Sequence, residues 1–272
     1  EIICLNKNEL DITSQESLRL NINKYLPSII VNAAAFTSVD LAEEEKSLSQ
    51  KINAEGPFNI SKLCESKGIL LVHLSTDYVF NGNKYGPYEE NEKEDPINHY
   101  GKTKYDGEKA IRSSLCKHII IRTSWVFGVN GNNFPKTIIG LSQKLKKLKI
   151  INDTLGSPTS ARSIARLVII ICKQYFQKGS LEYGIYHFTN QPQVSWHDFA
   201  LSVLEVSQKV GLLDEVPEVT GISSEEYESK SLKPKNSVLS NSKVTSVFDI
   251  KIDHWKDELL YTLQGIKDNI EK

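Results

Sequence analysis

Short apolar runs alternate along this chain with stretches whose apolar positions recur at three- and four-residue spacing. Residues 2–5, 28–35, 69–75 and 118–123 are rich in Ile, Leu and Val, and each is predicted to be a strand covered on both faces. Helical patterns lie between them. Asp11-Ile12-Thr13-Ser14 offers side-chain caps, and Leu18, Ile22 and Leu26 then share one face until Pro27 ends the helix. Residues 47–67 carry Leu48, Ile52, Ile60, Leu63 and Cys64, with Gly68 as the stop. Asp95-Pro96 marks a turn, and Asn98 stands where it can cap a further helix. This alternation predicts an α/β fold with a doubly wound parallel sheet.

After about residue 150 the order changes. Residues 160–177 read as an apolar helix, 183–188 as a strand, 195–211 as a helix capped by Ser195, 212–245 as polar loop, and 253–270 as an amphipathic helix. The predicted organisation is a sheet domain over residues 1–150 and a smaller, interleaved lobe over 151–272. In open α/β sheets ligands bind beyond the carboxyl ends of the strands, so those ends are where chemistry is expected.

Composition narrows the classes. The 33 basic residues against 34 acidic ones leave a net charge of -1, which gives no reason to expect nucleic acid or an acidic membrane surface as partner. No apolar run approaches the roughly 18 residues that a membrane helix needs. Cys4, Cys64, Cys116 and Cys172 are far apart and read as reduced thiols, which suits a cytoplasmic location. No cluster of His and Cys shows metal-ligand spacing, no Gly-x-Ser-x-Gly elbow is present, and no G-x-G-x-x-G occurs. The sequence contains no methionine and begins inside a strand-like run, Glu1-Ile2-Ile3-Cys4-Leu5. A first βα unit, with any glycine-rich phosphate loop, is therefore expected to lie outside it.

The most informative run is Asn98-His99-Tyr100-Gly101-Lys102-Thr103-Lys104. Tyr100 and Lys104 fall one turn apart on one face of the predicted helix. A fixed ammonium and the helix start are both expected to lower the pKa of the phenol, fitting it to give a proton to a carbonyl oxygen or to take one back. The strand at 69–74 leads into Ser75-Thr76-Asp77-Tyr78-Val79-Phe80, where the hydroxyl of Thr76 or of Ser75 is placed to bind a substrate carbonyl; taken alone, these residues read more readily as turn caps, and it is the pairing with Tyr100 and Lys104 that makes them a triad. The strand at 28–31 leads into Asn32-Ala33-Ala34-Ala35-Phe36-Thr37, where small residues admit a flat ligand or simply pack tightly. Trp125, after the strand at 118–123, reads evenly as a stacking platform for a sugar or base and as a core residue. Asn6 and Lys7 stand where an acidic residue would bind ribose hydroxyls, an arrangement that tolerates NADPH.

Together these residues resemble the extended short-chain dehydrogenase/reductase superfamily, and within it the dTDP-4-dehydrorhamnose reductase family. The matching stretches are the run from Val31 to Asp40, His73-Leu74-Ser75-Thr76-Asp77-Tyr78-Val79-Phe80-Asn81-Gly82, the Tyr100–Lys104 segment, Arg122-Thr123-Ser124-Trp125-Val126-Phe127-Gly128, Gly156-Ser157-Pro158-Thr159, and Lys233-Pro234-Lys235-Asn236-Ser237-Val238-Leu239. The resemblance implies a Rossmann-type fold with a C-terminal substrate-binding lobe. It implies reduction of the 4-keto group of dTDP-4-dehydro-L-rhamnose with NADPH or NADH. Tyr100, Lys104 and Thr76 are implied as catalytic; Asp11, Ile12, Ala35, Phe36, Thr37, Tyr100 and Lys104 as lining the cofactor; Thr76, Asp77 and Trp125 as meeting the sugar. A homodimer is implied as an assembly open to the chain. Family dimers can be bridged by Mg²⁺ through acidic side chains, but Arg162 stands where such an acid belongs, so no metal is expected. Two further readings stay open at this point: a non-catalytic regulatory subunit built on the same fold, and a related nucleotide-sugar epimerase.

Overall fold

The computed structural model describes residues 1–270. The elements run in chain order α1 (Gln15–Tyr25), β1 (Ile29–Asn32), α2 (Val39–Glu44), α3 (Lys46–Gln50), α4 (Gly56–Lys67), β2 (Leu70–Thr76), α5 (His99–Ser113) and β3 (His118–Thr123). They continue with β4 (Val126–Phe127), α6 (Phe134–Ser142), β5 (Lys147–Ile151), β6 (Leu155–Gly156), β7 (Thr159–Ser160), α7 (Ala161–Lys178), β8 (Gly184–His187), β9 (Val194–Ser195), α8 (Trp196–Lys209), β10 (Glu218–Ile222), α9 (Ser242–Phe248) and α10 (Trp255–Ile270).

Strands β1, β2, β3 and β8 form a parallel sheet in that spatial order. Successive residues point to opposite faces, and the core divides accordingly. Leu71, Ile120 and Ile185 pack against Leu18 and Ile22 of α1, Ile60 and Cys64 of α4, and Ile111 of α5. Leu70, Val72, Ile119, Ile121 and Tyr186 face the other way, onto Ile164, Leu167 and Ile171 of α7 and Phe248 of α9. The sheet is thus covered on both faces, which is why its strands read as nearly continuous apolar runs. A second core, with Phe127, Leu148, Phe199, Val203, Trp255 and Leu259 at its centre, is built by α6, α8 and α10. No helix among the described residues is long and apolar enough to cross a membrane.

The predicted caps are present: Ser14, Asn98 and Ser195 each accept a hydrogen bond from the third backbone N–H beyond them, and Gly68 closes α4 in the left-handed region at φ 68°. Four predicted elements differ, the simplest being the strand predicted over 28–35, which ends at Asn32 before the alanines. The run at residues 2–5 joins no ladder; Ile2 and Ile3 are exposed, and β1 is the edge of the sheet, paired with β2 alone. A strand exists only through a neighbour's N–H and C=O groups, and none of the described strands lies beside these residues. The stretch 212–245, predicted as loop, contains β10, which pairs in parallel with β5.

The helix predicted over 47–67 is interrupted by a π turn over Lys51–Glu55 between α3 and α4. Pro57 has no N–H to give the Asn53 carbonyl one turn back, so the ladder must adjust there. Gly107 of α5 presses against that carbonyl: a Cβ at this position would lie 2.1 Å from Asn53 O. Gly107→Ala should therefore destabilise the protein by about 1–3 kcal/mol or more. Gly140, in α6, has open space around its missing Cβ. Gly140→Ala should instead be neutral or gain up to about 1 kcal/mol. Thermal unfolding of the two variants beside the parent checks the contrast.

Candidate active site

The carboxyl end of β2 and the start of α5 meet in one place. Asn98 caps α5, its side chain accepting from Gly101 N at 2.8 Å. Gly101 is required for the approach, since a Cβ there would sit 2.2 Å from the Tyr78 carbonyl. Tyr100 is half-buried, and its ring meets that of Tyr78 edge-on at 5.6 Å between centroids. Burial pushes its phenol up to about 12; the Thr76 hydroxyl beside it pulls the other way, and Asp77 adds to the rise. The predicted lowering by Lys104 is thus not what this arrangement produces. The Lys104 ammonium is engaged elsewhere: Nζ donates to the Leu74 carbonyl at 2.7 Å, and the side chain is buried. Burial draws its own pKa down to about 8, with the Glu108 carboxylate opposing.

The two candidate hydroxyls separate. Thr76 Oγ1 contacts Asp77 Oδ1 at 3.0 Å and accepts from Tyr78 N at 3.2 Å, which leaves it beside the Tyr100 phenol. Ser75 donates to Glu108, away from that position. Asp77 is buried with Oδ2 lacking a hydrogen-bond partner, and burial raises its carboxyl to about 7 against the pull of the Ser237 and Thr76 hydroxyls.

The shelf after β1 lies on the same edge of the sheet. Ala33, Ala34 and Thr37 are exposed, and Ala35 and Phe36 half-buried. Asn53, on the π turn, fixes this loop: its Oδ1 accepts from Phe36 N at 2.8 Å and its Nδ2 donates to Phe36 O at 3.0 Å and to Thr103 Oγ1 at 3.1 Å. Sequence reasoning missed Asn53, because its partners lie in two distant segments. Asp11 is turned inward on its own segment, Oδ1 accepting from Thr13 N at 2.9 Å and Thr13 Oγ1 at 2.8 Å. Ile12 is buried against Gly56. Asn6 likewise serves a local turn, accepting from Asn8 N at 2.9 Å. Trp125 follows β3 in the left-handed region at φ 46°, and its indole stacks on Trp196 at 3.5 Å on the flank of the second core.

These placements bear on a dinucleotide. A small-residue shelf with its backbone locked by Asn53 runs beside the open edge of β1, and a buried ammonium and a phenol stand at the next strand end. His73 Nδ1 faces Asn32 Nδ2 at 3.1 Å, and its Nε2 is a buried polar atom without a partner. The residues present fit the nicotinamide half of such a group, while the chain carries no glycine-rich loop for its pyrophosphate.

A strap over residues 229–232 crosses this end of the sheet. Ser229 and Ser231 both donate to Asp40 of α2, Lys230 pairs with Glu44, and the Leu232 carbonyl accepts from Asn98 Nδ2 at 2.7 Å.

A parallel doubly covered sheet with a Thr–Tyr–Lys constellation at its carboxyl ends defines the chain as a reductase-type member of the nicotinamide-dependent Rossmann enzymes. The family described as RmlD substrate binding domain matches residues 1–267, and the chain belongs to it. A dTDP-4-dehydrorhamnose reductase from Aggregatibacter actinomycetemcomitans is 39% identical over 261 residues, covering 95% of this chain and 88% of the relative. The crystal structure of a dTDP-4-dehydrorhamnose reductase from Clostridium acetobutylicum superposes with a TM-score of 0.88 at 34% identity, covering 100% of this chain and 91% of that one. One from Bacillus anthracis, in complex with NADP, gives 0.87 at 32% identity, covering 100% and 90%.

Asp77 has a consequence for stability. Its folded-state pKa lies above the unfolded value of 3.8, so the native state favours the protonated carboxyl. The contribution is full below the unfolded pKa and is lost as pH rises through about 7. Asp77→Asn should therefore gain stability relative to the parent on going from about pH 4 to about pH 8, by up to a few kcal/mol. Melting temperatures of both proteins across that range give the answer; a constant difference refutes the shift.

Proposed function

We propose that the chain reduces the 4-keto group of dTDP-4-dehydro-L-rhamnose to give dTDP-L-rhamnose, with NADPH or NADH as reductant. The observation that carries this is the convergence of Thr76, Tyr100 and Lys104 where β2 meets α5, in a chain whose relatives are dTDP-4-dehydrorhamnose reductases. A reduced nicotinamide, when bound, supplies hydride to the carbonyl carbon. Tyr100 gives its phenolic proton to the carbonyl oxygen. Its raised pKa keeps that proton in place at neutral pH. The Thr76 hydroxyl beside Tyr100 stabilises the phenolate left behind, and the Lys104 charge one turn away supports it. Asp77, largely able to hold a proton near neutrality, and Trp125 meet the sugar.

On the cofactor side, Ala35, Phe36 and Thr37 line the dinucleotide and Lys104 holds the nicotinamide ribose. Asp11 and Ile12 approach the adenine through backbone, since one side chain is turned into its own segment and the other is buried. The lobe after residue 150 carries the sugar nucleotide. The reading extends to a homodimer without a metal bridge: Arg162 pairs with Glu258 at 3.1 Å and stacks over Tyr261 at 3.8 Å.

Tyr100→Phe in the full natural chain should reduce NADPH oxidation with the keto sugar nucleotide by at least about a hundredfold, as expected for loss of a positioned general acid. Circular dichroism and melting temperature should stay close to the parent's. Retained turnover would overturn the assignment of the proton donor. Tightly bound NAD after purification, with no net reduction, would favour an epimerase instead.

A further inference from the structure

We propose that Glu108 is a positioning residue for the reaction: anchored by Ser75 and Arg122, its carboxylate stands one helical turn from Lys104 on the same buried face of α5 and balances the ammonium that hydrogen-bonds the Leu74 carbonyl. The proposal rests on the reductase reading above.

Its basis is geometric. Glu108 lies one turn beyond Lys104 on the same face of α5, and both are buried. Consecutive residues of β2 receive the two side chains: the Leu74 carbonyl takes Lys104 Nζ, and the Ser75 hydroxyl donates to Glu108 Oε1. Arg122, the register partner of Ser75 on β3, grips the same carboxylate in fork geometry, Nε to Oε1 at 3.0 Å and Nη2 to Oε2 at 2.6 Å. Three donors from two adjacent strands thus immobilise one carboxylate, and Arg122 is itself steadied by Glu94 at 2.6 Å.

The charges around Lys104 make that carboxylate necessary. From β2, His73 is buried and neutral, its pKa held well below the ordinary imidazole range by burial and by Lys104 itself. From β3 comes a guanidinium, balanced by Glu108 and Glu94. The π turn contributes neutral Asn53, bonded to Thr103. On α5 itself the neighbour is the Tyr100 phenol, with Asp77 beyond it. Glu108 is the group identified as opposing the effect of burial on Lys104. Without it, an ammonium in this position loses its proton at a lower pH.

The wild-type full chain is assayed first with NADPH and the keto sugar nucleotide; absence of turnover there rejects the reductase reading, not this inference. Given turnover, Glu108→Gln should lower kcat about tenfold at pH 8 and saturating NADPH, with the KM for the keto sugar nucleotide changed by less than about twofold. It should also move the alkaline limb of the kcat profile toward lower pH by about one unit or more. NADPH binding followed by nicotinamide fluorescence should weaken above the displaced limb, a readout independent of turnover. Glu108→Asp, which keeps the charge, should leave the limb near its wild-type position. An equal fall in kcat at every pH, with an unmoved limb, overturns the proposal, because that is the signature of a carboxylate that only stabilises the fold. Should Glu108→Gln fail to fold, Ser75→Ala decides: loss of the anchoring hydroxyl should reduce kcat about fivefold at constant KM, and an unchanged kcat overturns the proposal.

Discussion

Lys104 is 2 % exposed, and an ammonium taken that far out of water has to be answered by nearby acceptors or give up its proton. Much of the arrangement at the carboxyl end of the sheet follows from that requirement. The Leu74 carbonyl supplies one acceptor, and the carboxylate a turn farther along α5 supplies opposite charge. That carboxylate in turn demands the Arg122 fork and the Ser75 hydroxyl. From Arg122 the contacts continue through Glu94 to Arg112 near the surface. The helix bearing the phenol is therefore fixed on the sheet by hydrogen bonds of defined direction as well as by apolar packing. Glycines at two points of α5 let it lie against the turn after β2 and against the π turn without intervening side chains.

Most of the fold was legible because its signals are local. The run at 118–123 is β3 residue for residue, since a strand covered on both faces needs apolar side chains at nearly every position. Ser14, Asn98 and Ser195 announce helix starts because a short side-chain acceptor answers N–H groups that the helix cannot. Failures came where an element depends on a distant partner. Residues 2–5 have strand composition but join no ladder, whereas Glu218–Ile222 sits in polar surroundings and becomes a strand because Lys147–Ile151 is there to pair with it. The π turn was signalled by Pro57 alone, inside an otherwise regular helical pattern.

The site divides in the same way. Tyr100 and Lys104 could be found from their spacing and context, and Thr76 from its place at a strand end. The choice between Thr76 and Ser75 could not, because it turns on which hydroxyl faces a carboxylate from another element. The direction of the Tyr100 shift was also out of reach of spacing: burial dominates it, against the pull of the Thr76 hydroxyl. Asn53 joins a loop seventeen residues upstream to a helix fifty residues downstream, so no local pattern reveals it. Arg122 did leave a trace. A guanidinium inside the run His-Ile-Ile-Ile-Arg-Thr is a charge in a strand covered on both faces, and such a charge must have a buried partner.

Asn98 performs two tasks with one amide. Its oxygen caps the helix that carries Tyr100 and Lys104, while its nitrogen holds the Leu232 carbonyl of the strap. The same segment is seated a second time on α2, where Ser229 and Ser231 both donate to Asp40. One side chain thereby ties two segments more than a hundred residues apart in sequence, so a substitution at Asn98 would unseat both the first turn of α5 and the segment laid over it.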